Sequence, residues 1–499
     1  MARVENGGNR ARTVGANLRR RDFLTLAGAG TLGLLAQGSC TSKKTPAPTK
    51  PNFIVILADD LGYGDLCCYS CHDALTPNID SIALNGIRFS DGYVSAPVCS
   101  PSRAALMTGR HQQRYGHEFN AGAAQRCHEM GLGLPTSEIS LAQLLKQAGY
   151  VTGIVGKWHL GSQRQFHPMA RGFDEFFGFL HGANLYIDPN KAGVHNVRTA
   201  RERSRGNRSP INPIMRARDA VEVDEYLTDV FTQEALDFID LHKGEPFFLY
   251  LPYNAPHTPL QATQKYYDRF AHIEDERHRI YMAMVSAVDD GVGAVLNKLK
   301  ETNLDEDTIV IFLSDNGCAT YTSACYNDPL KAGKLFLFEG GVRIPFSMQW
   351  KGHIKPGQVF DPAVSSMDIF PTVLALAGGQ VPEDRTIDGV NLMPYIMGEK
   401  KASPHEMLFW RSGTNSAVRR GNWKLVNLNQ RTTLLYDLSK DVAENNDIAG
   451  ENPDVVDELT EAFAAWNSEM VEPLWPTRNT LKIPLEPYGI PGGTYEFFI

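Results

Sequence analysis

Two short apolar runs, 53–57 and 308–313, lie far apart in the chain, and polar residues follow each of them directly. Unbroken β-branched runs of this length are typical of strands buried on both faces of a parallel sheet. Amphipathic helical patterns lie around and between them, at 140–147, 227–241 and 281–300. This alternation predicts an α/β fold with a large, mostly parallel or mixed sheet that is sandwiched by helices.

The pattern changes near residue 405. Four short segments with strand character, at 407–411, 417–419, 423–426 and 434–437, follow one another, and a helical pattern runs from 453 to 466. This succession predicts a smaller unit of short strands that is followed by one helix. We therefore expect a large domain over 51–375 and a C-terminal subdomain with its tail over 376–499.

The first fifty residues have the sequence features of a targeting signal and a linker. Arg19, Arg20 and Arg21 precede an apolar stretch at 23–36, which is a pattern typical of a twin-arginine export signal. We expect a signal over 1–40 and a linker over 41–50, with export to the periplasm or the outer membrane of a bacterium. Cys40 is a candidate lipid anchor, although Gln37 stands where a lipoprotein signal usually has an apolar residue.

The amino-acid composition further limits the class of protein. Hydrophobic residues are 42% and charged residues 21% of the chain, which is an ordinary globular balance. The formal net charge of −8 gives no reason to expect a nucleic-acid partner. No apolar run reaches the ~20 residues that a transmembrane helix requires. Of the eight cysteines, Cys318 and Cys325 are the favoured disulfide pair.

Polar oxygen ligands follow both buried strands. Asp59 and Asp60 come after the first strand, and Asp315 and Asn316 come after the second. Because ligands bind beyond the carboxyl ends of parallel strands, these side chains should meet at one edge of the sheet. Buried carboxylates repel one another, and a hard cation such as Ca²⁺ would compensate them. The alternative is that each Asp only caps a following turn.

Cys99 stands at the predicted start of a helix, because Pro101 suits a first helical turn and good helix formers follow it. A helix N-terminus attracts anions, and Arg103 would face the same anion one turn later. A cysteine-based phosphatase loop would need Arg six residues after the Cys, but Ala105 stands there.

The segment from Cys99 to Arg103, continued to residue 110, resembles the signature of the type I sulfatases. Further matching segments come in family order: 59–60, 156–161, 255–259, 314–317, and Lys334 with 339–345. The resemblance implies an alkaline phosphatase-like fold whose small C-terminal subdomain is an antiparallel sheet with one helix. It also implies that a maturation enzyme oxidises Cys99 to formylglycine, and that the substrate is a sulfate ester.

The resemblance assigns a role to each matching residue. The calcium ligands would be Asp59, Asp60, Asp315, Asn316 and the modified Cys99. The hydrated aldehyde at position 99 would attack sulfur and form a sulfated enzyme intermediate. Its second hydroxyl would then expel sulfate, so that no water molecule needs to attack the sulfur.

The remaining roles concern protons and charge. His257, with Lys334 nearby, would protonate the leaving alcohol, and His159 would take the proton of the second hydroxyl. Lys157 and Arg103 would balance the charge on the sulfate oxygens, and His181 would lie near the substrate pocket. Lys331 competes with Lys334, but the five-residue spacing to Glu339 favours Lys334.

A basic stretch lies between Asp188 and Asp219, with few apolar residues to anchor it. Its cationic residues are Lys191, Arg198, Arg201, Arg203, Arg205, Arg208, Arg216 and Arg218. We expect a loop that attracts a polyanion, such as a sulfated polysaccharide or an oligosaccharide derived from it. The alternative is a solvated insert without function.

Three other functions compete with a sulfatase. A phosphonate or phosphate monoester hydrolase would use the same fold and the same aldehyde. An inactive glycan-binding lipoprotein would retain only the scaffold. Finally, the spacing of Cys68, Cys71 and His72 fits a c-type haem attachment site.

Overall fold

The order of the strands places the first apolar run at the centre of the protein. The computed structural model describes residues 50–69, 73–122, 124–197, 211–477 and 480–498. Among these residues, ten strands form one mixed sheet, and their order across it is Gln358–Phe360, Ile87–Phe89, Phe346–Gln349, Thr308–Ser314, Asn52–Asp59, Phe247–Pro256, Val151–Lys157, Glu175–Phe179, Ile214–Arg216 and Asp219–Val221. The predicted signal, Cys40, most of the linker, Cys71 and His72 lie outside the described residues.

The strands, in chain order, are β1 Asn52–Asp59, β2 Ile87–Phe89, β3 Gly92–Tyr93, β4 Val151–Lys157, β5 Glu175–Phe179, β6 Val194–Val197, β7 Ile214–Arg216, β8 Asp219–Val221, β9 Phe247–Pro256, β10 Leu260–Thr263, β11 Thr308–Ser314, β12 Phe346–Gln349, β13 Gln358–Phe360, β14 Val364–Ser365, β15 Met407–Ser412, β16 Asn415–Arg420, β17 Trp423–Leu428, β18 Thr432–Asp437, β19 Thr480–Pro484 and β20 Thr494–Phe498.

The α-helices of the described residues are α1 Pro77–Leu84, α2 Cys99–Thr108, α3 Ala124–Glu129, α4 Leu141–Gln147, α5 Leu227–Leu241, α6 Gln264–Tyr267, α7 Glu276–Glu301, α8 Glu339–Val342, α9 Ile369–Ala377, α10 Met393–Ile396 and α11 Pro453–Ser468. The three predicted amphipathic helices are confirmed as α4, α5 and α7. Ser140 is the N-cap of α4, because its hydroxyl accepts the Gln143 N–H.

Strand β1 is buried on both faces, as its apolar sequence predicts. Phe53, Val55 and Leu57 pack into one hydrophobic core, whereas Ile54 and Ile56 pack into the core on the opposite face. Helices α2, α4 and α9 contribute to the first core, and helices α1, α5 and α7 contribute to the second. The sheet is therefore a central layer between two layers of helices.

The parallel centre of the sheet aligns four strand ends. Strand β1 pairs in parallel with β11 on one side and with β9 on the other, and β9 pairs in parallel with β4. Ala58 stands opposite Ser314 in the β1–β11 register. The carboxyl ends of all four strands consequently reach the same edge, where the predicted site residues follow them.

The predicted C-terminal antiparallel sheet is confirmed as β15–β18, with α11 packed on it through Leu459. The other face of this sheet shares the first core of the large domain. Trp410 in β15 donates its indole N–H to the Val94 carbonyl at 2.7 Å. The small sheet is thereby fixed against the segment that leads into α2.

The prediction that the basic stretch forms a loop is wrong in part. Its described ends form strands, because β6 pairs with β10 and β7 pairs with both β5 and β8. Ile214 is buried and anchors β7, and Arg216 forms an ion pair with Glu234. Arg198, Arg201, Arg203, Arg205 and Arg208 lie outside the described residues.

The favoured cysteine pair is confirmed, since Cys318 and Cys325 form a disulfide that closes the loop after β11. Cys68, which belongs to the haem-like motif, is a half-buried free thiol. None of the helices in the described ranges combines the length and the apolar character that a bilayer span would need.

A buried ion cluster also joins the small sheet to the large domain. Lys424 in β17 lies 2.8 Å from Glu339 at the start of α8 and 3.0 Å from Glu444. All three side chains are fully buried. Removing this cation leaves Glu444 buried without its cationic partner and leaves Glu339 with Arg343 at 3.4 Å, which is strongly destabilising.

We predict that Lys424→Met lowers the free energy of unfolding by about 3–5 kcal/mol, measured by urea denaturation. Lys440→Met is the matched control, because the Lys440 side chain is 82% exposed and its ion pair with Asp437 is at the surface. The control should change stability by less than about 0.5 kcal/mol. Equal, small effects of both substitutions would contradict the role of this cluster.

Candidate active site

The carboxylates sit where β1 and β11 end. Asp59 is the last residue of β1, and Asp60 follows in the left-handed region at φ 65°. Asp315 directly follows β11, and its N–H donates to the Ala58 carbonyl at 3.1 Å. The N–H of Asp60 donates to Asp315 Oδ1 at 3.2 Å. Backbone pairing thus holds three acidic side chains together at the edge of the sheet.

Three cationic side chains compensate these carboxylates. Arg103 donates from Nε to Asp315 Oδ2 at 2.9 Å, and its Nη2 lies 3.5 Å from Asp59 Oδ2. Lys157, at the end of β4, forms an ion pair with Asp59. Lys334 donates to both carboxylate oxygens of Asp60, at 2.7 and 2.8 Å. Each buried carboxylate therefore has its own cation.

Cys99 is the first residue of α2 and lies against this cluster. Its thiol is 2% exposed, and its Sγ lies 3.3 Å from Lys334 Nζ. Burial raises the pKa of the Cys99 thiol, but the charges of Lys157 and Lys334 outweigh burial and lower that pKa well below its ordinary value. The site thus stabilises negative charge on the atom at the helix N-terminus.

His257 directly follows β9, the strand next to β1. Its Nδ1 lies 2.6 Å from the Thr258 carbonyl, so Nδ1 carries a hydrogen and donates it. Its Nε2 lies 3.6 Å from Asp60 Oδ2. Burial and Lys334 lower the pKa of His257, but Asp60 and Asp59 raise it above its ordinary value. This imidazole is therefore suited to hold a proton at Nε2.

His159 lies two residues after Lys157, and its surroundings shift its pKa in the direction opposite to that of His257. It is buried in the left-handed conformation at φ 61°, and its N–H donates to the Leu180 carbonyl at 3.2 Å. Burial, together with the Lys157 and Arg103 charges, lowers the pKa of His159 well below its ordinary value. This imidazole stays neutral and is suited to accept a proton.

Gly182 packs against the His159 ring, because a side chain at Gly182 would collide with that ring. His181, the residue before Gly182, therefore lies close to His159. The His181 side chain lines a cavity of ≈ 290 Å³. The other lining residues are His128, Ser162, Leu180, Ile211, Asn212, Pro213 and Met215. Burial lowers the pKa of His181 to about 4, so the cavity offers neutral hydrogen-bonding groups and apolar surface.

The carboxylate cluster also fits a cation. Ligand atoms of Asp59, Asp60, Cys99 and His257 all lie within 4.8 Å of one another. Asn316 donates from Nδ2 to Asp60 Oδ1 at 2.7 Å. Among the described residues, the buried oxygens Asp59 Oδ1 and Asn316 Oδ1 accept no hydrogen bond. Buried oxygens without a hydrogen-bond partner are suitable ligands for a hard divalent cation.

The structure brings the predicted site residues together and separates the two competing lysines. Lys334 contacts Asp60 and Cys99, whereas Lys331 donates to the Tyr488 carbonyl at 2.8 Å. Arg103 faces the carboxylates rather than an open anion site.

Sequence reasoning missed three supporting residues: Tyr281, whose hydroxyl lies 2.6 Å from Asp65 Oδ2 and 3.1 Å from the Asp60 carbonyl oxygen, and the pair Ser100 and His117. Ser100 could have been suspected from its place next to Cys99. Nothing in the sequence marks the other two.

The sequence profile described as "Sulfatase" matches residues 51–379, and a profile described as the C-terminal region of N-sulphoglucosamine sulphohydrolase matches residues 332–469. The chain is 40% identical over 408 residues to N-acetylgalactosamine-6-sulfatase of Mus musculus, which covers 79% of this chain and 73% of that relative. Steryl-sulfatase of Homo sapiens is 34% identical over 428 residues, with 73% and 72% covered.

Solved structures agree with these matches. Ps i-CgsB in complex with k-i-k-neocarrahexaose has a TM-score of 0.78 at 36% identity and covers 86% of this chain and 95% of that chain. The PsFucS1 sulfatase from Pseudoalteromonas sp. has a TM-score of 0.69 at 27% identity, with 84% and 90% covered. The phosphonate monoester hydrolase of Agrobacterium radiobacter, with a TM-score of 0.61 at 19% identity, has the same fold and covers 84% of this chain and 96% of that chain.

We predict that Lys334→Met raises the pKa of the Cys99 thiol by about 1 or more in protein that keeps this thiol, because one of two stabilising ammonium groups is lost. The alkylation rate of Cys99 by iodoacetamide, followed by mass spectrometry as a function of pH, should reach its half-maximal value about 1 pH unit higher than in the unaltered chain.

Lys331→Met is the control, since its ammonium group contacts Tyr488 and not Cys99. This control should leave the alkylation rate and its pH dependence as in the unaltered chain. The same result for both lysines would show that Lys334 does not stabilise the thiolate.

Proposed function

The chain belongs to the sulfatase family and hydrolyses sulfate esters, and we propose that its substrate is a sulfated saccharide. One observation carries the assignment of the centre: Cys99 begins a helix and lies between a carboxylate cluster and the ammonium group of Lys334. The buried carboxylates there are balanced by Arg103, Lys157 and Lys334, so a bound divalent cation would leave positive charge for a tetrahedral anionic group.

We propose that the site uses calcium and a formylglycine made from Cys99 by a maturation enzyme. The oxygens of Asp59, Asp60, Asp315 and Asn316 would hold the ion together with the modified residue at position 99. When present, the ion would supply Lewis acidity, and the formylglycine hydrate would supply the nucleophilic hydroxyl.

The cationic side chains divide two tasks. Arg103 holds Asp315 and Asp59 in place, because its guanidinium is fully buried against them. Lys334 Nζ lies 3.3 Å from Cys99 Sγ, and the charge of Lys157 also acts on this thiol, so both ammonium groups would neutralise charge that develops on the sulfate oxygens. Arg103 is thus a positioning residue in this proposal, and the lysines contact the substrate.

The two histidines would transfer protons in opposite directions. His257 holds a proton at Nε2, stabilised by Asp60, and would donate it to the leaving alcohol. His159 is neutral and would accept the proton released at position 99 when sulfate departs. Groups whose surroundings shift their pKa values apart are suited to act as an acid and a base in one reaction.

The saccharide substrate is supported by the cavity and by the relatives. The cavity that His181 lines combines the polar side chains of His181 and Asn212 with apolar surface, which suits a sugar ring. Ps i-CgsB, at 36% identity, was crystallised with a neocarrahexaose.

We further propose export to the periplasm or the outer membrane, with Cys40 as a candidate lipid attachment site.

We predict that Cys99→Ala abolishes hydrolysis while the protein remains folded. The assay measures free sulfate released from N-acetylgalactosamine 6-sulfate and from k-i-k-neocarrahexaose, after mass spectrometry has established the state of position 99. The unaltered, converted chain should release sulfate from at least one of these compounds. Full activity of Cys99→Ala would show that the nucleophile is another group.

An aryl sulfate and the corresponding aryl phosphate separate this function from its nearest competitor. A sulfatase should hydrolyse the sulfate with the higher kcat/KM. A preference for the phosphate would favour a phosphate or phosphonate monoester hydrolase of the same fold.

We predict that Ca²⁺ raises the thermal unfolding midpoint, since a ligand at 100 times its Kd stabilises the folded state by about 2.7 kcal/mol. Asn316→Ala removes one proposed ligand and should lose most of this increase, measured by calorimetry with Ca²⁺ and with a chelator.

Asp290→Asn is the matched control, because Asp290 on α7 is a partly exposed carboxylate that pairs with Arg269, away from the proposed ligands. It should keep the full calcium effect. An equal calcium effect in Asn316→Ala and in the unaltered chain would exclude this residue as a ligand.

A further inference from the structure

His159 adopts a backbone conformation that needs external support. Its φ of 61° lies in the left-handed region, which is unfavourable for residues with a side chain. Its N–H donates to the Leu180 carbonyl at 3.2 Å. The Ser100 hydroxyl donates to its carbonyl oxygen at 2.7 Å. The peptide groups on both sides of His159 are therefore held by hydrogen bonds from other segments.

The Ser100 hydroxyl also contacts a second histidine. His117 Nε2 lies 2.7 Å from Ser100 Oγ. Because the single hydroxyl hydrogen of Ser100 is donated to the His159 carbonyl, Ser100 Oγ can only accept at this contact. His117 then donates from Nε2, which agrees with its Nδ1 having no hydrogen-bond partner among the described residues. Burial lowers the pKa of His117 to about 3, so the ring is neutral.

His117 is itself held rigidly. Its ring is fully buried and packs edge-on against Trp475, with ring centroids 4.8 Å apart at 77°. Trp475 donates its indole N–H to the Phe119 carbonyl at 3.2 Å. The N–H of Ser100 donates to Asn120 Oδ1 at 3.1 Å. The 117–120 segment therefore fixes both the backbone and the side chain of Ser100.

We propose that Ser100 and His117 form a positioning relay that orients His159 relative to residue 99. The relay runs from His117 Nε2–H through the Ser100 hydroxyl to the His159 carbonyl. It connects the residue next to the nucleophile with the proposed base, so both move together with α2. This role rests on the proposed function, because His159 is the base only in that reaction.

Neither relay residue is proposed to contact the substrate, because the Ser100 hydroxyl is already used by His117 Nε2 and by the His159 carbonyl. Loss of the relay should therefore lower kcat and leave KM nearly unchanged. A misplacement of a reacting group by about 1 Å reduces the rate about 100-fold. We expect a smaller, 10- to 100-fold decrease in kcat, because the Leu180 hydrogen bond to His159 remains.

Two substitutions of His117 separate the effect of its hydrogen bond on kcat from the effect of its packing. His117→Phe keeps a ring against Trp475 but removes the donor, and it should lower kcat 10- to 100-fold. His117→Gln places an amide N–H near the same position and should restore at least a third of the lost activity. Ser100→Ala should match His117→Phe, once rates are corrected for the fraction of position 99 that is converted.

His111→Phe is the matched control. His111 is also a buried histidine whose ring packs edge-on against a tryptophan, Trp466, with centroids 5.0 Å apart. It forms no contact with Ser100 among the described hydrogen bonds and ring contacts. Its kcat should stay within threefold of the unaltered enzyme, so a generic effect of replacing a buried histidine is separated from the relay.

The outcomes separate the two proposals. If the unaltered, converted enzyme releases no sulfate from any substrate tested, the proposed function fails, and a crystal structure of His117→Phe then tests the relay. An increase beyond 3.5 Å between Ser100 Oγ and the His159 carbonyl oxygen, or a displaced His159 ring, would support it. An unchanged His159, or an active His117→Phe enzyme with unchanged kcat, would overturn it.

Discussion

The burial of three carboxylates at one edge of the sheet determines which charges the rest of the site must supply. Asp59, Asp60 and Asp315 are at most 2% exposed, so each needs a compensating charge within hydrogen-bonding distance. Arg103, Lys157 and Lys334 supply three positive charges to these three negative ones. A divalent cation added to this balanced cluster leaves positive charge for an anionic group, and a sulfate ester is such a group.

The fold delivers these charges through parallel register. Strands β11, β1, β9 and β4 are neighbours, and their carboxyl ends are followed by Asp315, Asp60, His257 and His159. Helix α2 enters the same edge with Cys99, and the buried indole of Trp410 fixes the segment that precedes it. The C-terminal sheet therefore supports the site without contributing any of the reacting groups proposed above.

Much of this arrangement follows from local sequence patterns. The run at 53–57 predicts a strand buried on both faces, and such strands place their following residues at one edge. The motif spacing distinguishes Lys334 from Lys331, and only Lys334 contacts Asp60. The relay of Ser100 and His117 could not be predicted, because it depends on contacts between segments 17 and 59 residues apart. The strands β6 and β7 were missed because their pairing partners, rather than their own sequences, determine them.

The most direct test is a crystal structure of the mature chain grown with Ca²⁺, using anomalous scattering to locate the ion. The account predicts one calcium peak at the carboxyl ends of β1 and β11. Oxygens of Asp59, Asp60, Asp315 and Asn316 should lie about 2.3–2.6 Å from it, with the side chain at position 99 beside it. A structure without an ion there, or with calcium bound only at other carboxylates, would contradict the account.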